Sequence, residues 1–541
     1  MRKGIVLGIM LCALPMMMAQ QSAFDKFKQQ QSAQFDQAKA KQQEEFNQFT
    51  EEQQAEFDAF RKKVNEEYAE FMRKKWESFP VHEAEKPVKE KEVPPVVYEE
   101  PKPEPKPEPT PAPKPKEEEK PQPREDIQPI KTTTPTIDPK PVAPKPVQIP
   151  VKPVVVVVPQ PEPTPEPIAP VKPKEEEYKK VSIGYYGSIV TIGFPMNDNL
   201  KLRELKENAI ADAWDQLSDS RYDITIKSAL DARKSNNLCD WAYMKMLQAV
   251  TEKQYGKTNE AVLAQAFLMT QSGYRIRLGM CEGKLYMLVA SQYDIFNMRY
   301  YTLDGTKFYN VNAGDKSMSM QITKANYGKE KALSLQLNSL PKLGNDPTPK
   351  RTLTSKKGVT TSASVNKNMI DFFNTYPQAY FNGNVGTHWA SYANTPIEKS
   401  VKDMLYPPLK KTISGMSEKD AVGILLNWVQ TAFVYEYDDK VWGRDRAFFA
   451  QETLFYPYCD CEDRAILFSR LVRDLVGLDV VLLNYPGHLA AAVAFNDNVN
   501  GDYLTYKNRK YVVCDPTYIN AGVGKTMPGM NNQEAQVIAL K

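Results

Sequence analysis

The sequence predicts an α+β fold at its C-terminal end, carried on a chain assembled from unlike modules. Three observations carry this. A helix-spaced run begins at a cysteine pair, strand-length apolar runs follow it with turn signals between them, and composition shifts abruptly along the chain. At 541 residues the chain is too long for one ordinary domain. Its net charge of +3 gives no basis for a nucleic-acid or anionic-membrane partner.

The first element reads MRKGIVLGIMLCALPMMMAQQ. Arg2 and Lys3 precede an apolar core from Ile5 to about Met18, and Ala19 leads into polar sequence. This is the pattern of a secretory signal peptide over residues 1–19. The apolar core is short of the roughly 20 residues that a membrane span needs. Cys12 is not placed for lipidation, because Leu11 stands where a small residue is required. The expectation is an exported protein without a transmembrane span, periplasmic or envelope-associated, or secreted. Five cysteines then remain (Cys239, Cys281, Cys459, Cys461 and Cys514), an odd number, so at least one thiol is free even in an oxidising compartment.

Residues 20–80 form a Gln-, Glu- and Lys-rich segment with a beat of 11. Phe24, Phe35, Phe46, Phe57 and Tyr68 keep one series; Phe27, Phe49, Phe60 and Phe71 keep the other, with Ala38 in its missing slot. Eleven residues make three turns of about 3.67, so both series stay on one face of a long amphipathic helix. No glycine or proline interrupts it between Ala23 and Phe79. Such a stripe serves self-association or packing on its own protein; the other reading is docking to a partner or a membrane surface.

Residues 81–176 are dominated by KPEPKPEPTPAPKPKEEEKPQP and its relatives. Proline fixes φ and removes donors, so this reads as a disordered, extended polyproline II spacer with a reach of roughly 280 Å. VVVVV at Val154–Val158 is β-prone but fenced by Pro153 and Pro159. Residues 177–343 read as a mixed α/β domain. VSIGYYGSIVTIGFP alternates like a strand, and three helix-patterned runs end with Gly273. Strand-like sequence then follows, with Glu282-Gly283 and Asp304-Gly305 as turns. Cys239 and Cys281 sit among apolar neighbours and read as core residues. Residues 344–365 are polar and read as a linker.

Residues 366–541 hold the chemistry. Of three histidines, His82 lies in the spacer, His388 beside Trp389 reads as structural, and His488 remains. In YPYCDCEDRAILFSRLVRDLVGL, Ala465, Phe468, Leu471, Val472 and Leu475 have helical spacing and Gly477 supplies the stop. Asp460 is an N-cap with Asp463 three residues on, so Cys461 falls in the first turn. Free amides and the helix dipole there favour a thiolate, which selects Cys461 over Cys459. DVVLLNYPGHLAAAVAF then gives two strands about a Pro-Gly turn, the second opening with His488, and NRKYVVCDPTY gives a third closing with Asp515. A helix followed by an antiparallel sheet brings Cys461, His488 and Asp515 together as nucleophile, base and orienting carboxylate. Trp442 and Tyr458 are aromatic candidates for the cleft wall.

These motifs resemble the transglutaminase-like superfamily and its bacterial cysteine-peptidase-like members: CDCEDRAILFSRLVRDLVGLDVVLL, GHLAAAVAF and YVVCDPTY in that order, over about Asn394–Tyr518. The resemblance implies a papain/transglutaminase-like domain, with a cysteine-bearing helix against an antiparallel sheet. It also implies a catalytic triad of Cys461, His488 and Asp515 acting on a protein or peptide through a thioester, with no cofactor and no metal. Hydrolysis and transglutamination share that acyl-enzyme. Cys459 departs from the family pattern, which carries glycine at that place, and Cys514 is its nearest candidate partner. A zinc site of Cys459, Cys461, His488 and Cys514 fits poorly, because structural sites pair ligands at both ends. The reading from a different class is a non-catalytic envelope scaffold with a transglutaminase-like binding domain.

Overall fold

A computed structural model of the chain describes residues 53–74, 80–86, 155–156, 164–173, 177–313, 316–324, 329–532 and 534–541. The segment expected to be a signal peptide, the first repeats of the aromatic stripe and most of the Pro-rich spacer lie outside the described residues. The rest is mixed α/β, with helices packed on two six-stranded sheets.

Residues 53–72 are helical, and the second half of this helix packs on its own protein. Tyr68 lies 4.3 Å, centroid to centroid, from Trp214. Arg61 pairs with Asp223 at 2.8 Å, both buried, and Gln271 donates to the Asn65 amide oxygen at 2.8 Å. The same stripe is bare one repeat earlier, where Phe57 is 37% and Phe60 51% exposed.

The first sheet runs Val81–Glu83, Ser319–Ile322, Ile276–Cys281, Lys284–Ala290, Thr306–Tyr309 and Tyr300–Leu303, each pair antiparallel. Helix Asn259–Gln271 packs on it, with helix Asp240–Tyr255 against that helix, and Gly273 ends the first of these with φ +86. Three expectations need correction. VSIGYYGSIVTIGFP is two strands, Tyr178–Tyr185 and Ser188–Pro195, because Tyr186 (φ 43) and Gly187 (φ 73) make a tight left-handed turn at its centre. Helix Asp223–Ser235 escaped notice because Ile226 is the one large apolar residue among its buried positions, which otherwise are Thr225, Ala229, Ala232 and the charged Asp223 and Arg233. The stretch read as a linker holds a hairpin, Arg351–Thr354 with Thr360–Ala363, whose Leu353, Val359 and Ala363 enter the core.

The spacer also differs from expectation at its ends. Its start supplies the edge strand Val81–Glu83. Val155–Val156 pairs parallel with Val537 and Ile538 on the edge of the second sheet, and Ile168 donates its amide to Gln271 at 3.0 Å. Prolines on either side confine the valine strand to an edge. One apolar core runs from Tyr68 to Ile538, so the spacer leaves a single folded body and returns to it.

The second sheet runs Tyr503–Tyr506, Arg509–Cys514, His488–Ala494, Asp479–Tyr485, Gln536–Ala539 and Val155–Val156, antiparallel except at that last pair. Every residue of His488–Ala494 is buried. Leu489, Ala491 and Val493 join the main core, while Ala490, Ala492 and Ala494 join a second cluster on the other face. Helix Cys461–Leu475 packs across this strand, with helix Glu418–Ala432 behind it. No helix among the described residues is long and apolar enough to cross a membrane.

Candidate active site

The short strand Tyr458–Cys459 runs parallel to Val434–Tyr435 and ends at Asp460, whose extended backbone starts the helix at Cys461. The Asp463 carboxylate accepts from the amides of Asp460 at 3.2 Å and Phe448 at 2.8 Å, so the capping pattern also ties in the preceding loop. At the far end Gly477 has φ +77 and donates to Val472 at 3.1 Å, the stop that the sequence signals.

His488 opens its strand because Pro486-Gly487 turns the chain in two residues. Gly487 has φ +74 and Tyr485 faces His488 across the ladder. Asp515 follows the end of Arg509–Cys514. Its Oδ1 accepts from the amides of Thr517 at 2.8 Å and Tyr518 at 3.2 Å, which aims Oδ2 at His488 Nε2, 2.8 Å away. The backbone amide of Leu489, the residue after His488, reaches the Cys461 sulfur. The Asp515 turn and the His488 strand bring those two residues together, and the helix that opens with Cys461 packs on that strand. All are buried: Cys461 is 9% exposed, His488 7% and Asp515 2%.

The charge around the thiol is the reverse of what a helix start suggests. Cys461 donates to Glu462 Oε2 at 3.1 Å. Burial, then the Glu462 and Asp460 carboxylates, push the thiol well above its ordinary value, and the Leu489 amide offsets only part of this. The expectation that the first turn favours a thiolate is corrected on this point: burial first, and the carboxylates beside the sulfur second, hold the thiol in its protonated form. Cys459, buried, points its thiol at the Val434 carbonyl, 3.7 Å away, and Cys514 sits in the ladder opposite Ala491; all five described cysteines are unbridged.

The carboxylates form a cluster that the sequence did not disclose. Burial raises Asp438 to about 8, with Glu462 as the next largest cause, and raises Glu462 to about 7. Asp460 and Asp463 are pushed up in the same direction by burial first and by their acidic neighbours second. Ligand atoms of Asp438, Asp460 and Asp463 lie within 4.8 Å of one another, as do those of Asp460, Cys461 and Glu462 and those of Asp438, Asp445 and Glu462. Asp460 Oδ1 is buried without a hydrogen-bond partner. These are the residues that could hold a hard divalent cation. The groups that come together among the described residues include neither His488, Cys459 nor Cys514, so the poorly fitting zinc set is not assembled.

Sequence reasoning also missed Gln430. Its Nε2 faces the carbonyls of Asp515 at 3.0 Å, Tyr518 at 2.8 Å and Ala521 at 3.0 Å, while the Gln430 backbone carbonyl accepts from Arg464 Nη1 at 3.4 Å. Arg464, one turn into the cysteine helix, also donates to Phe433 at 3.0 Å, so the pair ties the Asp515 turn to that helix. The signal existed: Gln430 continues the apolar i, i+4 row of Val422 and Leu426. Trp442 stacks on the Arg446 guanidinium, 4.4 Å away, which pairs with buried Glu452 at 2.6 Å; Tyr458 is half-buried. His388 is structural as expected: its Nδ1 contacts the Ala379 carbonyl at 3.2 Å, and burial drives it down to about 4. Comparison with protein-family models, with curated proteins and with solved structures finds no match to this chain.

Proposed function

We propose that residues 366–541 form a papain/transglutaminase-like domain that acts on amide bonds of an exported protein or peptide through Cys461, His488 and Asp515. The observation that carries this reading is the His488–Asp515 pair at 2.8 Å, on the strand whose next amide reaches the Cys461 sulfur. With Nε2 engaged by Asp515, Nδ1 is the ring nitrogen left to accept the thiol proton. The sulfur then attacks the carbonyl carbon, and the imidazolium returns the proton to the leaving amine as the C–N bond breaks. The thioester is resolved by water in a hydrolase or by a second amine in an acyltransferase. Asp515 holds the imidazole tautomer and stabilises its charged form, as the carboxylate does in serine-protease triads.

An electrophilic acyl probe tests this. Cys461 is expected to take the label, with loss in Cys461→Ala and in His488→Ala. A Cys461 that stays unlabelled across neutral and alkaline pH in reducing buffer, in a folded protein, would refute catalysis and leave the domain as a binding scaffold.

A further inference from the structure

The first helix carries one aromatic stripe in two different settings. From Arg61 onward the stripe side is covered by the folded body, where Tyr68 is 3% exposed against Trp214. One repeat earlier, Phe57 at 37% and Phe60 at 51% are exposed. The 11-residue beat continues upstream in the sequence through Phe49, Phe46, Ala38, Phe35, Phe27 and Phe24. In sequence, the bare pair is thus the last of a longer series of apolar beats, and its exposed rings call for a covering partner.

We propose that Phe57 and Phe60 are the docking surface for the Phe24–Phe27 segment of a second copy of this chain, paired antiparallel about a two-fold axis near Gln42. The register follows from the repeat. Reversing the chain about Gln42 sets Phe60 opposite Phe24, Phe57 opposite Phe27, Phe49 opposite Phe35 and Phe46 opposite Ala38, so each apolar layer meets another. A parallel pair would drive two folded bodies into each other, because each body covers the stripe side of its own helix from Arg61 onward. The antiparallel pair places the bodies at opposite ends. The signal-peptide reading starts the mature chain near residue 20, so the partner helix runs out where the body begins.

Charge agrees with this orientation. Residues 21–43 carry Lys26, Lys28, Lys39 and Lys41 against Asp25 and Asp36, whereas residues 44–60 carry six carboxylates and no basic residue. Antiparallel pairing lays the basic half along the acidic half. At an interhelical distance of about 8–10 Å the attraction acts within roughly one Debye length at physiological salt. Folding back within one chain would need a turn near Gln42, and the sequence has no glycine or proline between Ala23 and Phe79. A membrane surface fits less well, since the polar face mixes both signs.

The test uses the full mature chain. Sedimentation equilibrium should give a dimer. Phe57→Glu with Phe60→Glu, and separately Phe24→Glu with Phe27→Glu, should each weaken it by at least about a hundredfold, from the loss of two buried aromatics per chain. The melting temperature should hold in the first variant, because Phe57 and Phe60 are exposed on the folded body. For orientation, Gln53→Cys should crosslink to Gln31→Cys of a second copy and not to itself, whereas Gln42→Cys should crosslink to itself. A monomer at every concentration overturns the proposal, including one that binds anionic vesicles. A dimer indifferent to both aromatic pairs, or a self-bridging Gln53→Cys, also overturns it.

Discussion

Replacing Gln430 with methionine isolates what holds the Asp515 turn. The side chain is 1% exposed and its Nε2 faces three carbonyls between 2.8 and 3.0 Å away. An amide nitrogen has two hydrogens, so two of the three acceptors are fully served at any moment. Methionine keeps length and volume but donates nothing. Each buried carbonyl left unpaired costs about 1–3 kcal/mol. Tyr518 and Ala521 are only half-buried and recover part of that from water, so the net loss should be about 3 kcal/mol, read from the urea midpoint. The turn that aims Oδ2 at His488 should loosen with it, and misplacement by about 1 Å costs on the order of a hundredfold in rate. Acyl-probe labelling of Cys461 should therefore slow while Cys461 itself is unchanged. Gln430→Glu, the same shape with an acceptor facing three acceptors, should be worse than methionine on both readouts. A methionine variant with native stability and native labelling would refute the reasoning.

Three further outcomes follow from the same geometry. Asp515→Asn should cut Cys461-dependent turnover on the order of 10⁴-fold by freeing the wrong imidazole tautomer, with far less effect on the melting temperature. His388 is depressed from 6.5 to about 4, so its contribution is complete above pH 6.5 and lost as pH falls through 4; this is worth about 3 kcal/mol, and His388→Phe should flatten the acid limb of a stability-versus-pH curve. Asp438, raised to about 8, and Glu462, raised to about 7, act in the opposite sense. Their contribution is complete below pH 4 and fades as pH rises through 7 to 8, so thermal melts should show stability falling over that range. Millimolar calcium should restore it and a chelator should remove the effect; a curve that calcium leaves unmoved would mean that the carboxylates hold no cation.

The C-terminal elements were legible because each is written locally. Asp460 and Asp463 mark a helix start, Gly477 a stop, and Pro486-Gly487 a two-residue turn, and each acts within a few residues of itself. Tyr186-Gly187 carries the same kind of signal, but uninterrupted alternation on both sides read as one strand. The hairpin of Arg351–Thr354 with Thr360–Ala363 was hidden by its composition, since threonine and serine suit a strand edge and a loop alike. The pinned ends of the spacer had no local cue: a valine pair becomes a strand only because Val537 and Ile538 offer an edge. Gln430 and Asp438 belong to the same class. Each acts on groups more than 20 residues away in the chain, so its role is set by tertiary approach and not by spacing.

The first turn of the cysteine helix explains why nucleophile and carboxylates belong to one problem. Asp460, Cys461, Glu462 and Asp463 are consecutive, and all four are acceptors that negative charge makes stronger. A helix start offers few free amides and about half a positive charge, which cannot satisfy four anions at once. The carboxylates carry the lower intrinsic values, so ionisation goes to them before it goes to the sulfur. The thiol is left protonated against Glu462, 3.1 Å away. Anything that neutralises Glu462 and Asp460, whether a proton or a cation bound beside Asp438, removes the charges that add to burial in opposing the thiolate. Glu462→Gln does so permanently. It should lower the pH midpoint of Cys461 alkylation while raising stability, a pairing of effects that loss of a merely structural contact would not produce.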